Sequence, residues 1–102
     1  MVSIEQAVCE FCGIEPKELK SSSRRKKICA ARMLAMYLSR QYTASAFSEI
    51  GDYFGGRSHS TVIAAERKVA NWIRNDEGIA VSNSVYQAKE VLRRIESNLR
   101  IG

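Results

Sequence analysis

The residues best placed to do chemistry lie in one run, Gly55-Gly56-Arg57-Ser58-His59-Ser60-Thr61. Two glycines allow a sharp bend, Ser58 is a good helix N-cap, and the helical turn after it carries an imidazole and two hydroxyls before the first apolar residue, Val62. Side chains set ahead of the buried position, His59, Ser60 and Thr61, point outward, where His59 can make an apolar or hydrogen-bonded contact with a base edge and Thr61 offers both a hydroxyl and a methyl group. Arg57 and Lys68 could reach phosphates, and the helix start adds free amides and partial positive charge. Each group also has a plainer use, since serine and threonine at a helix start are often caps and a single histidine is often a surface residue.

Two other spacings resemble sites and fail on their details. Gly51-x-x-x-x-Gly56-Arg57-Ser58 approaches a phosphate-binding P-loop, but an arginine replaces the lysine and no strand precedes the first glycine. Cys9-x-x-Cys12 has a metal or redox spacing, yet there is no second cysteine pair and His59 is the only histidine. A helix would put these thiols on neighbouring turns as packing residues. No nucleophile with a positioned base is present, so the expectation is a chain without catalysis, bound cofactor or metal.

The elements that must position these residues read as all helical, because apolar residues recur at three and four and no segment alternates at period two for long. Ser3 and Gln6 suggest a capping box ahead of an Ile4, Ala7, Val8, Phe11 stripe that Gly13 stops. Pro16 opens a short helix to Leu19. A basic loop spans about 20–27, and Ile28, Ala31, Leu34, Ala35, Leu38 and Tyr42 mark a long helix with a core face. After Thr43-Ala44-Ser45, a helix-turn-helix occupies about 46–73, its first helix from Ala46 to Phe54 and its second from His59 to Ile73, burying Val62, Ala65, Val69 and Ile73. Asp76-Glu77-Gly78 breaks the chain before a last helix at about 83–99, lined by Val85, Ala88, Val91, Leu92, Ile95 and Leu99. Its charged face, with Lys89, Arg93 and Arg94, reads as solvated.

A length of 102 residues at 45% hydrophobic content suffices for one core and hence one domain over 1–102. The net charge of +5 matters less than its placement. Lys17, Lys20, Arg24, Arg25, Lys26, Lys27 and Arg32 are opposed locally only by Glu18, a concentration that suits a polyanion. No apolar run reaches a membrane span and no signal-peptide pattern opens the chain, so no membrane partner is expected. Three cysteines, an odd number, fit a reducing compartment better than a disulfide framework.

The run Glu49-Ile50-Gly51-Asp52-Tyr53-Phe54-Gly55-Gly56-Arg57-Ser58-His59-Ser60-Thr61-Val62 resembles the signature of the C-terminal DNA-binding domain of DnaA, the bacterial chromosomal replication initiator. Ala35-Met36-Tyr37-Leu38-Ser39-Arg40 is similar to that family's preceding helix, and the resemblance extends over roughly Ser3 to Ile73. It implies a compact, Trp-repressor-like multi-helix fold that binds double-stranded DNA at DnaA-box-like sites in the cytoplasm, at the nucleoid. It also implies roles: Arg24 in the minor groove, Arg25, Lys26 and Lys27 as phosphate contacts or supporting charge, Arg32 as a DNA contact at the helix start, Arg40 and Lys68 near the backbone, and His59, Ser60 and Thr61 as major-groove readers. In the family, ATP is used by a separate domain through which protomers assemble, so this chain would be a fragment with ATP and protomer contacts lying outside it.

Three positions depart from the family pattern. Ser58 stands where an aspartate usually caps the helix and reads a base, Met33 where a glutamine is usual, and Ala31 where a proline opens the helix. Serine keeps the cap but has no charged acceptor, so the resemblance implies a shifted or relaxed sequence preference. The alternatives are a DnaA-like module of a small regulator or transposase, a nonspecific DNA-binding protein, and a protein-binding module with a basic face.

Overall fold

The computed structural model describes residues 1–81 and 83–101. Its elements are helices α1 (Val2–Cys12), α2 (Pro16–Leu19), α3 (Lys26–Tyr42), α4 (Phe47–Tyr53) and α5 (His59–Arg74), a hairpin of β1 (Gly78–Val81) and β2 (Ser84–Gln87), and helix α6 (Ala88–Ile101). Helix α3 is the hub, touching α1, α2, α4, α5 and β1. It can do so because Leu34, Ala35, Met36 and Leu38 are all buried, covering more than one side of the helix. Ile4, Ala7 and Val8 of α1, Ile50 and Phe54 from the α4 region, Val62, Ala65 and Val69 of α5, and Val91 and Ile95 of α6 close one continuous apolar cluster around it.

Local chemistry sets the element ends. Gly13 adopts φ 69° and returns its N–H to Cys9 O at 2.8 Å, ending α1 in a left-handed turn. The carboxylate of Glu18 accepts the Glu15 N–H at 3.0 Å and that of Glu49 accepts the Ala46 N–H at 2.9 Å, securing the starts of α2 and α4. Ser58 caps α5 by accepting the Thr61 N–H at 3.4 Å.

The helix-turn-helix falls within a residue or so of its expected limits, whereas the region after α5 differs. Strands β1 and β2 pair antiparallel with Ile79 opposite Tyr86 and Ala80 opposite Val85, added to an otherwise helical fold. Its strands are four residues each, and their buried side chains are few: Ile79 and Val81 face the core while Gly78 and Ala80 do not. The last helix therefore starts at Ala88 and not near residue 83. Its start is fixed by Ala88 N–H to Glu77 O at 2.8 Å and Lys89 N–H to the Asp76 carboxylate at 3.1 Å.

Other expectations are corrected in detail. Val85 belongs to β2 and is 70% exposed, and Tyr42, at the overhanging end of α3, is 54% exposed with its hydroxyl bonded to Glu96 of α6. Ile73 is half-buried near the end of α5. Ser3 and Gln6 are exposed and form no capping box; Met1 takes the N-cap position of α1. The basic loop is shorter than 20–27, since Arg25 is the N-cap of α3 and Lys26 and Lys27 form its first turn.

Candidate nucleic-acid interface

The first turn of α5 stands out from the surface: His59, Ser60 and Thr61 are exposed, as are Ala64, Arg67 and Lys68 further along, while Val62, Ala65 and Val69 hold the opposite side in the core. The bend that delivers this turn needs its glycines. Gly55 has φ 97° and Gly56 φ 72°. A side chain at Gly55 would also sit 2.4 Å from Lys20 O, so the bend is pressed directly against the end of α2. Gly51, on α4, makes a similar approach: a Cβ there would meet Arg57 O at 2.0 Å, and the Gly51 carbonyl accepts the Arg57 N–H at 2.9 Å.

Two guanidinium groups tie the basic loop to this bend. Arg32 projects from α3 beneath the loop, donating from Nε to Leu19 O at 2.8 Å and from Nη2 to Ser21 O at 2.9 Å and Ser23 O at 3.3 Å. Arg57 reaches the same Ser21 oxygen from the other side at 2.6 Å and donates also to Phe54 O. One carbonyl thus joins α3, the loop and the helix-turn-helix bend. Burial and the neighbouring Arg32 charge hold the Arg57 pKa below the ordinary arginine value, as expected for two cations converging on one acceptor.

The loop tip that these bonds hold carries Arg24 and Arg25, both exposed, and Lys26 and Lys27 follow on the first turn of α3, also exposed. Among the described residues, the side chains of Arg24, Arg25, Lys26 and Lys68 make no hydrogen bond or ion pair with protein groups. Between α3 and the first turns of α5 runs a groove of about 300 Å³ lined by Met33, Met36 and Ala64 together with Arg32, Arg57 and Lys68.

The structure thus brings together most of the residues expected from sequence, but gives several a different task. Arg32, expected at the surface as a DNA contact, is 6% exposed, and its hydrogen bonds are spent on the loop backbone. Its burial follows from its register: Ile28, Arg32, Ala35 and Ser39 recur at four, three and four along α3, so the arginine falls on the core side, and only a full set of carbonyl acceptors makes that tolerable. The same register could have flagged it from sequence. Arg40 stands apart at the far end of α3, donating to Ser45 O at 2.9 Å and lying 4.1 Å over the Phe47 ring. The Thr61 hydroxyl is 3.1 Å from the Ser58 oxygen, so its polar end is already engaged with the cap and its methyl is left as the free group. Sequence reasoning missed Ser21, whose contribution is a backbone carbonyl and which no side-chain pattern marks.

Cys9 and Cys12 are packing residues of α1 within the core cluster. Burial pushes the Cys9 thiol up to about 11, with Glu5 adding to the effect, and the Cys12 thiol up to about 12, so both stay protonated. Among the described residues no group of three metal-ligating side chains occurs, and no helix is long and apolar enough to cross a membrane.

A helical bend held by glycines, a capped and exposed recognition turn, and a basic loop bonded to its flank define a helix-turn-helix protein. A family model described as the bacterial dnaA protein helix-turn-helix matches residues 1–69. The chain is also 41% identical over 92 residues to the chromosomal replication initiator protein DnaA of Chlorobaculum tepidum, covering 90% of this chain and 17% of that protein. It is 43% identical over 77 residues to that of Thermodesulfovibrio yellowstonii (76% and 18%) and 37% identical over 86 residues to that of Streptococcus mutans (84% and 19%). The chain belongs to the bacterial DnaA helix-turn-helix family, and it spans less than a fifth of the length of these relatives.

Proposed function

We propose that this domain binds double-stranded DNA at DnaA-box-like sites, as the origin-recognition part of a replication initiator working at the bacterial nucleoid. The observation that carries the reading is the shared Ser21 carbonyl, which fixes an exposed basic loop beside an exposed recognition turn with two arginine donors. In this reading α5 enters the major groove with His59, Ser60 and Thr61 facing base edges, the loop presents Arg24 to the adjacent minor groove, and the strand between them lies over Met33 and Ala64. Arg25, Lys26, Lys27 and Lys68 neutralise phosphates. Arg32 and Arg57 position the loop, and Arg40 contributes charge at the far end of α3. The domain acts by binding and not by catalysis, and ATP and protomer assembly are assigned to other parts of a longer protein.

Fluorescence anisotropy of a labelled duplex carrying a DnaA box, against a scrambled duplex at two salt concentrations, tests the proposal. Tighter binding to the box, weakening steeply with salt, is the expected result. Equal binding to both duplexes would reduce the domain to backbone recognition, and no binding would overturn the reading. Ser58→Asp should restore a charged acceptor beside the recognition turn and raise discrimination at one base pair by about 1 to 3 kcal/mol, measured on single-base variants of the box. Unchanged discrimination in that variant would show that position 58 serves as a cap alone.

A further inference from the structure

The hairpin lies beyond residues 1–69 that match the family model, and its first strand borders a second groove. This groove, about 360 Å³, runs between the start of α3, the latter half of α5 and β1; Ala30, Met33 and Trp72 line it, with Ile79 and Ala80 of β1 along one side. Lys26 and Lys68 stand in its wall, and no acidic side chain lines it. An apolar floor with two cations and no anion selects a ligand that is apolar in part and negative in part.

The strand adds a second, independent feature. β1 pairs only with β2, and an antiparallel strand paired on one side turns alternate N–H and C=O groups away from its partner. Among the described residues, no backbone hydrogen bond other than those to β2 involves Gly78, Ile79, Ala80 or Val81. The exposed positions Gly78 and Ala80 carry no side chain or a single methyl, and neither strand carries a charge or a proline to block pairing.

We propose that a short, extended, acidic segment of a partner protein binds here, adding a strand to the outer edge of β1, placing a bulky apolar residue against Trp72 and Met33, and its carboxylates at Lys26 and Lys68. Main-chain pairing would supply affinity and the groove specificity. Because Lys26 and Lys68 are also assigned to phosphates above, the bound segment and DNA would compete; binding of the segment itself does not depend on the DNA reading.

Trp72 is the sole tryptophan, so its emission reports occupancy directly. The probe is an acetylated octapeptide alternating glutamate and valine, with one central phenylalanine. Expected results are a saturable change in Trp72 emission, amide shifts in heteronuclear NMR at Gly78–Val81, and loss of binding by about tenfold or more when lysine replaces glutamate in the peptide or when its alternate amides are N-methylated. These arms use the unaltered protein. Ala80→Pro, which puts a ring and no N–H on the open edge, should weaken the peptide by a similar factor while leaving duplex binding as it was. Equal binding of the lysine or N-methylated peptides, shifts confined to another face, or no Trp72 response would overturn the proposal. Peptide binding in a protein that ignores the duplex would leave this site standing and sink the DNA reading instead.

Discussion

Arg24 and Arg25 at the loop tip and Arg32 and Arg57 at its base are the same residue type in one small region, yet they differ in nearly every physical respect. The tip arginines are exposed and their side chains make no bond to protein groups among the described residues, whereas those at the base are buried or half-buried and their guanidinium groups make five hydrogen bonds to four backbone carbonyls. The difference teaches that the positive charge of this face is divided between cations whose side chains are left open to solvent and cations that build the surface presenting them. Arginine suits the second task because its planar fork can serve several carbonyls at once without ever losing its charge. A count of basic residues treats the two kinds as one.

The largest effect that would break the comparison is expected at Arg32. Arg32→Ala leaves the carbonyls of Leu19, Ser21 and Ser23 without that donor in a mostly buried place and should cost about 2 to 4 kcal/mol of stability, read from denaturant unfolding. Arg32→Lys should recover only part of this, because one ammonium cannot reproduce the fork. DNA affinity should fall in both variants although no DNA contact is removed. A stability change within about 0.5 kcal/mol would place Arg32 with the tip residues and erase the distinction.

Next in size is Gly55→Ala. Its φ of 97° and the backbone oxygen of Lys20 only 2.4 Å from the new Cβ should together cost about 2 to 3 kcal/mol. The strain lies where the bend meets the loop, so amide exchange should speed up first around residues 20–25 and 54–58, and uniform loosening across the domain would argue against a specific junction. Arg24→Ala is the converse case. It should leave unfolding within about 0.5 kcal/mol of the parent while weakening box binding on the order of tenfold and lowering the salt slope by about one.

The same contrast explains what could be read in the sequence. The recognition helix was legible almost to the residue because its signals are local: a glycine pair, a cap, and apolar residues at Val62, Ala65 and Val69. The stripe Ile4, Ala7, Val8 and the stop at Gly13 were legible for the same reason. The burial of Arg32 could be read from its register on α3, but its role could not, since its acceptors are carbonyls 9 to 13 residues away and depend on how the loop folds back. The hairpin was hidden because four-residue strands hold too little alternation to compete with the helical spacing of Val85, Ala88 and Val91, and the decisive bonds from Ala88 and Lys89 to residues 76–77 are tertiary.

The smallest effect sharpens the comparison at Lys20, a cation of the same basic segment that is exposed yet structural. Its Nζ lies 3.1 Å from the Glu5 carboxylate and 4.2 Å over the Tyr53 ring, and Tyr53 O–H donates to Glu5 at 3.2 Å, linking α1, the end of α2 and α4. The bond to Glu5 raises the Lys20 pKa above the ordinary 10.5. A raised folded-state value means that the ion pair's contribution is complete below the unfolded value and disappears as pH climbs through the folded one. Because Lys20 is open to solvent, that pH-dependent part should be below about 1 kcal/mol. Thermal unfolding of the parent and of Lys20→Met should accordingly differ by a constant amount from neutral pH to about 10 and converge above it. A gap that opened as pH rose would have the wrong sign for this pair, and would place Lys20 with Arg24 and Arg25 among the cations that do not build the fold.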